Sequence, residues 1–171
     1  RKTLSESWGI QDRASLISTI AAMTESGHNA AFLKLAGSAD ADAYTAALYE
    51  KWGERGILCW DLFRISNLAQ FGYEAGYVTY PEALALLEPA AKRLQETFSS
   101  WESAYENYLD GYGWWSGTGY TGQDVWETER GQLFVLMMEQ EAIAPIFDDT
   151  LFARGVIGIS GLSAEQIGAS V

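Results

Sequence analysis

Apolar residues along this chain recur mainly at helical spacing, so helix is the element predicted through most of its length. Trp8-Gly9-Ile10 leads to Asp12, a good N-cap residue for a helix reaching about Glu25. Leu16, Ile17, Ile20 and Met23 form the apolar stripe of that helix. Gly27 suits the left-handed position that closes it. Asn29 can open a short helix carrying Phe32, Leu33 and Leu35. After a polar break from Gly37 to Asp42, Tyr44, Leu48 and Trp52 mark another helix ending at Gly53 or Gly56.

The segment from about Leu58 to Ala75 is apolar almost all round, which places it at the centre of a bundle. Gly76 ends it. Thr79-Tyr80-Pro81-Glu82 reads as a capping box opening a helix to about Phe98 through Leu84, Leu87, Ala91 and Leu94. Pro89 should kink that helix. Ser99-Ser100-Trp101-Glu102 reads as a second capping box, followed by Ala104, Tyr105, Tyr108 and Leu109. From Gly111 to Gly122, five glycines with Tyr112, Trp114, Trp115 and Tyr120 predict an irregular aromatic loop. Helix is expected to resume near Gln123, carrying Val125, Trp126, Leu133, Phe134, Met137 and Met138, and to stop at Pro145. Beyond Ile146 the pattern is ambiguous, with Val156-Ile157-Gly158-Ile159 as a short strand and Ser163 opening a terminal turn. The expectation is therefore a single all-α domain over residues 1–145 with a tail over 146–171.

Composition narrows the classes open to it. A length of 171 residues with 48% hydrophobic and 20% charged residues fits one globular domain. The 11 basic against 23 acidic residues give a formal charge of -12. Such a field repels nucleic acid and anionic membrane surfaces; it either attracts a basic protein partner or serves solubility alone. Seven Trp and nine Tyr are many for this length, so some aromatic rings are expected at a binding surface. The single Cys59 excludes an internal disulfide and a cysteine-based zinc site, and it reads as a small core residue. No apolar run approaches the roughly 18 residues of a membrane span, which makes the cytoplasm the default compartment. The chain begins at Arg1 rather than Met, leaving room for a removed N-terminal segment.

Asp61, Arg64 and Asn67 stand at i, i+3 and i+6 on one helical side, extended by Gln70 and Glu74. Charged groups within an apolar helix must find partners, so this row is either a structural network or a site. As a site, Arg64 would grip an anion while Asp61 orients its guanidinium. His28, the single histidine, could act as a base near neutral pH, or interact with the carbonyls of the helix it follows. No Glu-x-x-His or His-x-x-x-His spacing supports a metal site, and no cofactor is expected. Asp148 and Asp149, with Glu139 and Glu141, read as solvated acids. Gly-x-Ser-x-Gly is absent, and Gly117-Thr118-Gly119-Tyr120-Thr121-Gly122 follows no strand that would make it a dinucleotide fingerprint. Trp114 and Trp115, adjacent in sequence, cannot both enter one core; either they pack on different sides of a tight loop, or with Tyr112 and Tyr120 they form a candidate interface.

Trp8-Gly9-Ile10, Gly27-His28, Trp60-Asp61, Arg64, Asn67-Leu68, Gly72-Tyr73 and Ala75-Gly76-Tyr77 together resemble the bacterial domain of unknown function DUF1266. Ser100-Trp101, Tyr105, Tyr108, Gly111 and Trp115-Ser116-Gly117 continue the resemblance, which spans about Leu4 to Gly117 and the helix beyond. It implies an all-α bacterial protein and supplies no catalytic residues. It also implies that the Asp61 row and the aromatic loop are one shared feature. The leading expectation is a non-enzymatic interaction protein, immunity-like or accessory, with an acidic, aromatic surface. The rival is an enzyme or small-molecule sensor with an anion pocket around Asp61, Arg64 and His28.

Overall fold

Helices account for every long element. The computed structural model describes residues 1–141 and 144–153, and among these residues no strand occurs. The chain is all-α, as its periodicity predicts. The elements are α1 (Lys2–Trp8), α2 (Arg13–Ser26), α3 (His28–Ala36), α4 (Ala43–Trp52), α5 (Leu58–Glu74), α6 (Tyr80–Thr97), α7 (Trp101–Ser116), α8 (Glu129–Glu139) and α9 (Thr150–Ala153), with short 3-10 turns between them. The strand expected at Val156–Ile159 and the turn from Ser163 lie outside the described residues.

The helices gather into two compact units. One unit holds Arg1–Gly27 and Asp61–Leu94. Its core includes Leu4, Ile10, Leu16, Ile65, Leu68 and Leu86. Gly72 admits α2 onto α5, since a Cβ there would lie 3.3 Å from Leu16 Cδ1. The unit is laced at its edges by Arg13 on Glu82 at 2.9 Å, and by Arg93 Nη1 donating to Thr24 O at 3.0 Å. Gly76, at φ 75°, ends α5 as expected: its N–H donates to Tyr73 O and the Tyr77 N–H donates to Gly72 O, both at 2.9 Å.

The other unit holds His28–Trp60 and the described residues from Gln95 onward. Here the first turn of α5 starts inside protein and lacks a capping residue of its own. Two distant asparagines replace it. The Ile57 N–H donates to Asn29 Oδ1 at 2.7 Å, and the Cys59 N–H donates to Asn107 Oδ1 at 2.8 Å. Asn107 Nδ2 donates in turn to Gly56 O at 2.7 Å. Cys59 is buried, and burial pushes its thiol well above the usual range.

Several expectations change. An additional helix, α1, precedes Asp12. Gly27 is not left-handed: it has φ -61° and ψ -160°, and His28 begins α3 directly after it. The second capping residue is Ser100, one later than expected, its Oγ accepting from Ser103 N at 3.2 Å. In the first box Glu82 does reach back to Thr79 N at 2.7 Å, but the Thr79 hydroxyl also donates to that carboxylate. Helix α6 continues through Pro89. Helix α8 starts at Glu129, capped by Thr128, and ends before Pro145. Nor is α5 apolar all round, because Ser66, Asn67, Gln70, Tyr73 and Glu74 are exposed.

The largest correction concerns the predicted aromatic loop. Helix α7 runs on through Gly111, Gly113, Trp114 and Trp115 to Ser116. These two glycines serve close approach, not chain reversal. A Cβ at Gly111 would meet Trp60 Cβ at 2.5 Å, and one at Gly113 would meet Tyr44 Oη at 2.8 Å. Packing outweighs the loss of about 1 kcal/mol that each glycine costs a helix.

Candidate functional site

The row on α5 divides. Asp61 is buried, its side chain only 2% exposed, and Arg64 Nη1 lies 4.0 Å from its Oδ1. The Arg64 guanidinium sits 4.5 Å above the Trp8 ring, a cation–π seat supplied by α1. Asn67, by contrast, faces solvent, and Gln70 donates to Glu74 at 3.0 Å. The structure therefore brings Asp61 and Arg64 together and leaves Asn67 outside. Trp8 was the missed member. Its signal was a lone aromatic residue before Gly9, on a helix too short for periodicity to reveal.

His28 lies in the second unit, where its ring meets the edge of Trp115 at 6.4 Å between centroids. Trp115 belongs to a column on α7. Tyr105, Tyr108, Tyr112 and Trp115 recur at i, i+3, i+7 and i+10, which aligns them along one helical face. Trp60 fills the centre of this column, with centroids 5.5 Å from Tyr108, 5.7 Å from Tyr112 and 5.2 Å from Trp115. Arg130 lies 4.2 Å above Tyr112 and donates to Tyr108 Oη at 2.6 Å. At the other end Tyr105 stacks on Phe134, 3.8 Å between centroids.

The two adjacent tryptophans part ways. Trp114 turns inward, its Nε1 donating to Thr45 Oγ1 at 3.1 Å and its ring meeting Phe32 edge-on at 5.5 Å. Trp115 is 50% exposed. Tyr120 is equally exposed; its hydroxyl donates to Asp42 Oδ2 at 3.1 Å and its ring lies 4.7 Å from Tyr44. Burial, with the Asp110 charge, raises the Tyr44 hydroxyl to about 12, so this phenol stays protonated at neutral pH. Tyr112 is half-buried in the column.

A second polar cluster was not anticipated. Asp110, buried on α7, accepts from Trp52 Nε1 at 2.7 Å and from Lys51 Nζ at 2.8 Å; Lys51 also reaches Glu106 at 2.8 Å. Burial alone would lower Lys51, but its bonds to Asp110 and Glu106 raise it. The signal was present in sequence, since Asn107 and Asp110 interrupt an aromatic helix at i, i+3. The acids late in the chain have local tasks: Asp149 Oδ1 accepts from Trp101 N at 2.7 Å, and Asp148 bonds Thr150. Among the described residues no three His, Cys, Asp or Glu side chains gather as metal ligands. No described helix is long and apolar enough to cross a membrane.

Known proteins place this chain without assigning it chemistry. Residues 38–144 match the family described as a protein of unknown function, DUF1266. That range leaves out Trp8-Gly9-Ile10 and Gly27-His28 and takes in α8. The uncharacterized protein YbeR of Escherichia coli K12 is 29% identical, over 66% of this chain and 56% of its own length. The uncharacterized protein YbeU of the same organism is 31% identical with the same coverage. The chain thus spans about half the length of these relatives. No solved structure shows a significant match to it. With most of its length from α4 to α8 under one family match, the chain belongs to the DUF1266 family.

Proposed function

We propose that this chain is a non-enzymatic interaction module, immunity-like or accessory, that binds a basic protein in the bacterial cytoplasm. The observation carrying this reading is Trp115: half of it faces solvent while Trp60, Tyr112 and His28 hold its other side. A large ring fixed before binding loses little entropy on binding, the property of an interface anchor. Tyr120 adds a second exposed ring with a polar tip. The formal charge of -12 favours a cationic partner and steers its approach.

Photocrosslinking tests the reading. A photoreactive phenylalanine analogue replacing Trp115 in the full chain is expected to trap a basic protein in bacteria, with a yield that falls as salt rises. Trapping that ignores ionic strength, or that matches a control at exposed Ser18, overturns it.

A further inference from the structure

Helix α8 is apolar on more than one side. Phe134 and Gly131 face inward and are buried. Leu133, Val135, Leu136 and Met138 are 53%, 37%, 52% and 37% exposed, within a single helix of 11 residues. Singly exposed apolar residues need no explanation, but four adjoining ones form a patch of the kind that marks an interaction surface.

Beside this patch lies an open groove of about 390 Å³. Trp126, Phe134, Val135 and Met138 provide its apolar lining, and the exposed Glu102 and Glu139 are its charged residues. Among the described residues no basic side chain lines it. The groove therefore suits a ligand with apolar anchors and positive charge at its flanks. Leu133 with Leu136, and Val135 with Met138, stand at i, i+3, giving ridges that match the side-chain spacing of another helix. The described residues contain no strand, so they offer no sheet edge for strand addition.

We infer that the α8 groove seats a cationic amphipathic helix of a protein partner. This rests on the reading that the partner is basic, and it adds where and in what form that partner docks. A second copy of this chain is disfavoured because it would bring the same Glu102 and Glu139 against themselves. An anionic lipid surface meets the same repulsion.

The probe is a synthetic 18-residue Leu/Lys peptide with helical amphipathic spacing, titrated into the full chain and followed by tryptophan fluorescence. Micromolar binding is expected, weakened about tenfold by Glu102→Gln with Glu139→Gln and by Val135→Asp. Both sets of variants change exposed side chains, and circular dichroism verifies their fold. A Leu/Glu peptide, and a Leu/Lys peptide of scrambled order, should not bind. The inference is overturned if the groove variants bind like the parent, if the scrambled peptide binds equally, or if no peptide binds. It also falls if anionic vesicles are bound instead, or if Val135→Asp abolishes a dimer of the chain. Trp115→Ala should leave peptide binding intact, so failed crosslinking at 115 with normal peptide binding would sink only the broader reading.

Discussion

The backbone of Gly27 lies directly against the buried carboxylate of Asp61: a methyl on Gly27 would sit 2.5 Å from Asp61 Cγ and 2.8 Å from its Oδ1. Gly27 is thus required by close approach and not by a left-handed turn. Gly27→Ala is expected to destabilise the fold by about 1–3 kcal/mol, the usual cost of overpacking a filled site. Urea melts with an unchanged slope would measure it. In an Asp61→Ala background the same substitution should cost less, with a coupling of at least about 0.5 kcal/mol. Strict additivity would show that the carboxylate is not what excludes a side chain at 27.

Asn107 serves two backbone groups at once, accepting from Cys59 N and donating to Gly56 O within a buried helix start. Asn107→Ala leaves both backbone groups without that partner, at about 1–3 kcal/mol for each left unpaired. Asn67→Ala, at an exposed position in α5, is expected to stay within about 0.5 kcal/mol. Equal losses from the two substitutions would mean that water reaches the start of α5.

Helix periodicity, the break near residue 40 and the Gly76 stop were legible because each depends on local chemistry. What escaped the sequence depends on residues far apart. Asn29 and Asn107 cap α5 from 28 and 48 positions away, and no local pattern marks a cap of that kind. Gly111 and Gly113 carry the local signature of a loop, yet the approach of Trp60 and Tyr44 keeps them helical. The polar row on α5 was visible as a row, but which members face protein depended on the elements packed against it: Gly27 lies against Asp61, Trp8 of α1 lies under Arg64, and Asn67 faces solvent.

Arg64 shares that dependence. Its guanidinium stands over Trp8 and near Asp61, so Arg64→Ala should destabilise by about 1–3 kcal/mol. Arg64→Lys should recover only part of this, because an ammonium cannot stack as a planar group does. A double-mutant cycle with Trp8→Leu is expected to give about 0.5–2 kcal/mol of coupling. No coupling would return the stabilisation to Asp61 alone.

Trp114 and Trp115 offer a within-molecule comparison. Trp114→Ala removes a ring seated on Phe32 and a hydrogen bond to Thr45, and should cost up to about 3–4 kcal/mol. Trp115→Ala removes a half-exposed ring and should cost about 1–2 kcal/mol, discounted for its exposure. Thermal or urea unfolding of the two variants checks the order. A larger loss for Trp115 would identify it as a core residue and remove it as an interface anchor.

Acid should weaken the fold through its capping carboxylates. The backbone N–H of Thr45, with its hydroxyl and that of Tyr120, holds Asp42 below the usual range; the backbone N–H of Thr79 does the same for Glu82. Each folded pKa lies below its unfolded value. The stabilisation is therefore complete above about pH 5, where the unfolded carboxyls have lost their protons, and it disappears as pH falls through the folded values. Asp42→Asn keeps an oxygen to accept from Thr45 but carries no charge to titrate. The variant should melt slightly below the parent near pH 6, and the gap between the two curves should narrow on acidification toward about pH 2.5. A gap constant across that range would show that the Asp42 cap acts through shape and not through its charge.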